Sequence, residues 1–140
     1  MSGLSPSQQE YLNNTFPGRV NFDPVERKLY SHDIGALPGL VKPVVGATLA
    51  DAIVQPSSEA EVVALVTWAM ENNIALVPRG KASSGYGGVV PRKKGIIIDF
   101  YRMKQILSID KAAQTVTVQP GIVWEFLDKE IKKDGLTLRL

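Results

Sequence analysis

Apolar and polar positions fall into a regular order only after residue 50. Ala52-Ile53-Val54 is an unbroken apolar run closed by Gln55-Pro56, the pattern of a short buried strand. Ser58 then stands as a helix N-cap, with Glu61 three residues on as its capping-box partner. Ala60, Val63, Ala64, Val66, Thr67 and Met70 come next near helical spacing, which predicts a helix with these residues as its apolar face. Asn72-Asn73 ends it, and Ile74-Ala75-Leu76-Val77 reads as a second buried strand. Strand, helix and strand in this order form a βαβ unit, whose crossover is expected to be right-handed. Gly95-Ile96-Ile97-Ile98-Asp99 is a third buried strand, and Met103 to Ile109 makes a turn and a short strand. Thr115, Val116, Thr117 and Val118 alternate within Ala113 to Gln119 as a half-buried strand does, with Asp110 to Ala113 as the hairpin turn before it. After Pro120-Gly121, Val123 to Lys133 is an amphipathic helix with Trp124, Leu127 and Ile131 on its core side, and Gly135 is its stop. Leu136 to Leu140 begins one more strand, so the natural polypeptide is expected to continue.

The first fifty residues are less regular. Pro6 to Asn14 predicts a short polar helix. From Phe16 to Leu49 the pattern is broken by Pro17, Pro24, Pro38 and Pro43 and loosened by Gly35, Gly39 and Gly46, with one helical turn near Pro24 to Leu29. The chain therefore divides into an irregular lead-in over 1–50 and an α/β unit over 51–140, with the lead-in wrapped over the unit.

At 140 residues, 44% hydrophobic and 21% charged, the sequence can build one domain with a real core, and disorder throughout is excluded. A net charge of +2 gives no footprint for nucleic acid, and Arg92-Lys93-Lys94 reads as a solvated turn before a strand. The lack of cysteine rules out disulfides, thiolate metal sites and a cysteine nucleophile, and it suits the cytoplasm. No signal-peptide pattern opens the sequence, and no apolar stretch is long enough to span a bilayer.

The chemistry concentrates where the second strand of the βαβ unit ends. Pro78-Arg79-Gly80-Lys81-Ala82-Ser83-Ser84-Gly85-Tyr86-Gly87-Gly88 is rich in glycine and serine. Such a segment lets another molecule approach the main chain, and its successive N–H groups can converge into an anion nest. It leaves the carboxyl end of a strand, where open α/β sheets bind ligands. A Walker A loop does not fit, because Ala75 stands where its first glycine belongs and Ala82 follows Lys81. A dinucleotide fingerprint does not fit either, because Gly80, Gly85, Gly87 and Gly88 lack its spacing. The third reading is a flavin-type pyrophosphate loop.

Four blocks, in order, carry a resemblance to one family. They are Val54 to Val62, a strand-Pro-helix entry; Pro78 to Gly88; Ile97 to Ile106 with its Met-x-x-Ile turn; and Val116 to Trp124 with Gln119-Pro120-Gly121 before a helix. In these, Ala52 to Leu140 resembles the first half of the PCMH-type FAD-binding domain of the FAD-linked oxidases. That family includes vanillyl-alcohol oxidase, D-lactate dehydrogenase and the glycolate oxidase flavoprotein subunit. Tyr30-Ser31-His32-Asp33 is similar to the Tyr-Ser-x-Asp that precedes the domain in the lactate and glycolate branch.

The resemblance implies an α+β fold, a mixed parallel and antiparallel sheet with flanking helices. It implies an FAD-dependent oxidoreductase that oxidises a small 2-hydroxy acid of the D-lactate or glycolate type and passes electrons to a separate acceptor. FAD would be held by Pro78, Arg79, Gly80, Lys81, Ala82, Ser83, Ser84, Gly85, Tyr86 and Gly87, together with Pro120 and Gly121. Amides from about Gly80 to Ser84 and the hydroxyls of Ser83 and Ser84 would donate to the pyrophosphate. Arg79 either supplies charge or makes a structural ion pair, Lys81 is otherwise a solvated loop lysine, and Tyr86 either stacks beside the flavin or packs the loop. Two departures stand out. Ala82 replaces a glycine found in many relatives, and Ser83 replaces the histidine that carries covalent flavin, so FAD is expected to bind non-covalently. Catalytic residues would lie beyond Leu140, leaving these 140 residues inactive alone. His32, the sole histidine, reads as a loop hydrogen-bonding residue, and Asp33 and Asp99 as local caps. The rival reading is a non-catalytic α/β module that binds a nucleotide or a partner.

Overall fold

The computed structural model describes residues 3–35 and 49–139, so the lead-in breakers Pro38, Gly39, Pro43 and Gly46 lie outside the described residues. Helix α1 (Pro6–Thr15) starts on Ser5, whose hydroxyl accepts from the Gln8 amide while the Gln8 side chain accepts from Ser5 N–H. Strand β1 (Val20–Asn21) and helix α2 (Pro24–Tyr30), capped by Asp23, complete the lead-in. Next come β2 (Ala52–Val54), α3 (Glu59–Glu71), β3 (Leu76–Arg79) and β4 (Ile96–Asp99). The chain then makes a short 3-10 turn (Phe100–Arg102), the hairpin β5 (Ile106–Asp110) and β6 (Thr115–Val118), and α4 (Trp124–Lys132).

The main sheet runs β1-β2-β4-β3, with β1 antiparallel to β2 and the other pairs parallel. It is the mixed sheet the sequence predicts. β4 lies between the two strands of the βαβ unit, and all four of its residues are buried because helices cover both faces. On one face Leu12 of α1 and Phe16 at its C-cap pack with Leu65, Trp68 and Ala69 of α3 against Ala52, Val54, Ile96 and Ile98. On the other, Ala50, Ile53 and Ile97 meet Tyr30 and Val77. The lead-in thus supplies an edge strand and two fully buried core side chains.

Several expectations need correction. The inward face of α3 is Leu65, Trp68 and Ala69, while Val63 and Met70 are exposed. Small Ala and Thr residues blur the apolar stripe, and the large side chains decide which way the helix turns. Trp68 gains further from stacking on Tyr11, with ring centroids 4.7 Å apart. Ser58 caps α3, but the Glu61 side chain turns away from Ser58 to accept from Ser57 and Arg19, leaving half a capping box. Trp124 is not core. It is 57% exposed, like the rest of the helix's first turn, while Leu127 and Ile131 are buried. Leu136 to Arg139 forms no strand among the described residues, and Leu140 lies outside them.

Candidate functional site

The glycine-rich segment leaves β3 at the carboxyl edge of the parallel strands. At that edge Gln55 follows β2 and Asp99 ends β4, and the Gln55 side-chain amide donates to the Asp99 carboxylate at 2.6 Å. The other oxygen of Asp99 accepts from the Tyr101 amide at 3.2 Å and caps the 3-10 turn. Asp99 is 3% exposed, so these bonds satisfy a carboxylate that burial would otherwise penalise. Asp99 is thus the local cap the sequence suggests, and it also ties two strand ends together.

Within the loop, Ala82 adopts φ 54°, in the left-handed region, and Gly87 φ 77°. A left-handed residue beside ordinary neighbours is the element from which an amide nest for an anion is built. None of the amides from Gly80 to Gly85 donates to a protein acceptor among the described residues. Lys81, Ser83, Ser84, Gly85 and Tyr86 face solvent, and Tyr86 is 99% exposed, so it does not pack the loop. The second segment comes close by: a Cβ on Gly80 would stand 3.5 Å from the Pro120 carbonyl oxygen. Gly121 is pressed on the main chain behind it, donating to Met103 O at 2.7 Å, and a Cβ there would lie 1.9 Å from Phe100 O. The fold therefore brings Gly80 and Pro120-Gly121, some forty residues apart, to one place.

Among the described residues Arg79 makes no ion pair. Its Nη1 donates to the carbonyls of Tyr30 at 2.9 Å and His32 at 2.8 Å, and the guanidinium lies 5.0 Å over the Tyr30 ring. Burial lowers its pKa, opposed by Asp99, Tyr30 and Asp33. Burial raises that of the Tyr30 hydroxyl, with the charge of Asp99 adding to it. His32 is exposed and takes part through its carbonyl.

Asp33 does more than the local capping read from the sequence. One carboxylate oxygen accepts from Gly35 N–H at 2.9 Å, and the other from Gly87 N–H at 2.7 Å. The first bond is a local Asx-type turn that a sequence can suggest. The second spans 54 residues and has no local signature.

Undonated amides beside exposed hydroxyls and a nearby lysine suit an anionic ligand. Comparison with known proteins agrees. Residues 50–140 match the profile of the family described as FAD binding domain. Glycolate oxidase subunit GlcD of Bacillus subtilis is 32% identical over 121 residues, 85% of this chain and 24% of that protein. D-lactate dehydrogenase of Anaerostipes hadrus is 29% identical over 133 residues, 95% of this chain and 26% of its own length. A solved alkyldihydroxyacetonephosphate synthase superposes with a TM-score of 0.79 at 28% identity, covering 96% of this chain and 26% of that one. The chain spans about a quarter of the length of these relatives. Matched over its sheet, its loop and its Pro120-Gly121 turn alike, the chain belongs to the FAD binding domain family.

Proposed function

We propose that this chain is the front part of the FAD-binding domain of a flavin-dependent oxidoreductase that oxidises a small 2-hydroxy acid. In this reading residues 1–50 are a lead-in and 51–140 the first portion of the cofactor domain. The observation that carries it is the run of undonated amides from Gly80 to Gly85 at the carboxyl edge of the sheet, whose first residue lies close to the Pro120 carbonyl. Bound there, FAD would supply the two-electron acceptor that such an oxidation needs.

The protein's own groups divide the work of holding it. Amides of Gly80 to Ser84 and the hydroxyls of Ser83 and Ser84 donate to the pyrophosphate oxygens, and Lys81 adds a mobile positive charge. Arg79 lends its charge from behind the loop, since its Nη1 is already committed to carbonyls. Pro78 and Gly121 fix the ends of the two segments, and Tyr86 offers an exposed ring to the flavin or adenine. With Ser83 in the loop, attachment is non-covalent. A glycolate oxidase subunit and a D-lactate dehydrogenase among the relatives support a 2-hydroxy acid substrate, and the electrons would then pass to a separate acceptor. Among the described residues no helix is long and apolar enough to cross a membrane. The cysteine-free composition suits a cytoplasmic protein.

The test is the full-length protein's own colour and what removes it. A yellow preparation is expected whose flavin passes entirely into the supernatant on acid precipitation. Its flavin band should bleach anaerobically with D-lactate or glycolate. A colourless protein that takes up no added FAD overturns the reading, and flavin retained in the acid pellet overturns non-covalent binding.

A further inference from the structure

The lead-in touches the glycine-rich loop at both ends. At the start, Arg79 binds the carbonyls of Tyr30 and His32. At the far end, the Asp33 carboxylate accepts from Gly87 N–H while holding Gly35 N–H with its other oxygen. Between these, the two backbones meet without side chains: a Cβ on Gly35 would fall 2.4 Å from Gly85 O. The stretch 30–35 therefore lies as a strap along the loop. Charge alone argues against a carboxylate here, because Asp33 would repel a pyrophosphate held by neighbouring amides. What it gives instead is geometry, as the acceptor that fixes Gly87 at φ 77°.

Resting on the proposed FAD site, we infer that Asp33 is a positioning residue. It pre-sets the amides of Gly80 to Gly85 for the cofactor without touching it, with Gly35 supplying the close backbone fit. Ordering the loop before the ligand arrives removes an entropic cost from binding. The contact makes two opposite predictions. A merely nearby negative charge weakens FAD binding, so its removal strengthens it. A positioning carboxylate strengthens FAD binding, so its removal weakens it.

The experiment measures affinities of the full-length apoprotein for FAD and for ADP, which shares the pyrophosphate, alongside its unfolding midpoint. Wild type, Asp33→Ala, Asp33→Asn and Gly35→Ala are compared. Loss of a charge-assisted bond predicts that Asp33→Ala weakens FAD and ADP alike by about tenfold. Asp33→Asn, which keeps one acceptor oxygen, should lose about threefold, a partial rescue. Gly35→Ala should also weaken both and lower its own midpoint, since its methyl would meet the Gly85 carbonyl, while the Asp33 variants keep apoprotein midpoints close to wild type. The inference is overturned if the Asp33 variants bind as well as wild type or tighter. It is also overturned if only the midpoint falls, or if FAD weakens while ADP does not. A wild-type protein that binds no FAD removes the functional reading and the strap with it; one that binds FAD while Asp33→Ala does equally well removes only the strap.

Discussion

Replacing Glu61 with glutamine tests how the lead-in is fastened to the first helix of the cofactor domain. The Glu61 carboxylate takes both terminal nitrogens of Arg19, at 2.5 and 2.6 Å, and accepts from the Ser57 amide at 2.7 Å. Arg19 also donates to Ser57 Oγ at 2.8 Å, so strand β1 is pinned to the start of α3. The Arg19 hydrogen bonds hold the Glu61 carboxyl at about 2, against an ordinary 4.5. Taken at face value, that difference corresponds to about 3 kcal/mol. The side chain keeps 25% of its exposure, and solvent screening reduces the effect to about 2 kcal/mol. Because folding lowers this pKa, the stabilisation is complete above the unfolded value and fades as pH falls from about 5 toward 2. Denaturant unfolding of wild type and Glu61→Gln at a series of pH values reads it directly. A gap of about 2 kcal/mol at pH 7 should shrink to less than about 1 kcal/mol by pH 3. A gap that stays constant across that range refutes the charge argument and leaves only shape.

Gly121→Ala should cost about 3 kcal/mol in unfolding free energy, since its methyl meets carbonyl oxygen rather than a side chain that can yield; a wild-type midpoint would contradict the close approach. At Ala82, relief of left-handed strain and the added freedom of the unfolded chain nearly cancel, so Ala82→Gly should shift stability by less than about 0.5 kcal/mol. Ala82→Val should destabilise by more than about 1 kcal/mol in the same thermal scan, because branching at Cβ resists that backbone. Trp124→Ala should change stability by under about 1 kcal/mol, while Leu127→Ala costs about 3 kcal/mol. The reverse order in a chemical denaturation series would show that the helix sits the other way round.

Three of the four strands of the main sheet are legible because residues such as Ile53 and Ile96 to Ile98 lie in short apolar runs, which depend on local pattern alone. The position of the loop followed from those strands. The facing of α3 did not, because Val63 and Met70 score as apolar just as Leu65 and Trp68 do, and only the fit against Tyr11 and Phe16 separates them. Trp124 was misplaced for a similar reason: a heptad-like spacing says which side chains align, not how far along the helix the core extends. β1 escaped notice because two residues carry no periodicity, and their pairing with Val54 and Ile53 is a long-range event. At the site, the glycines and serines announce a cradle by composition. Asp33, which holds the cradle's far end, is one aspartate among many until the chain has folded.

Among the described residues strand β3 ends the main sheet on one side, and its odd-numbered residues turn their backbone groups to β4, as the Ile96 amide bonding to Ala75 O indicates. Pro78 therefore turns its nitrogen toward the open flank, where it has no hydrogen to give. A foreign strand seeking to extend the ladder would find a gap in the row of donors at its middle rung. At this edge Pro78 thus discourages fibril-like extension of the sheet.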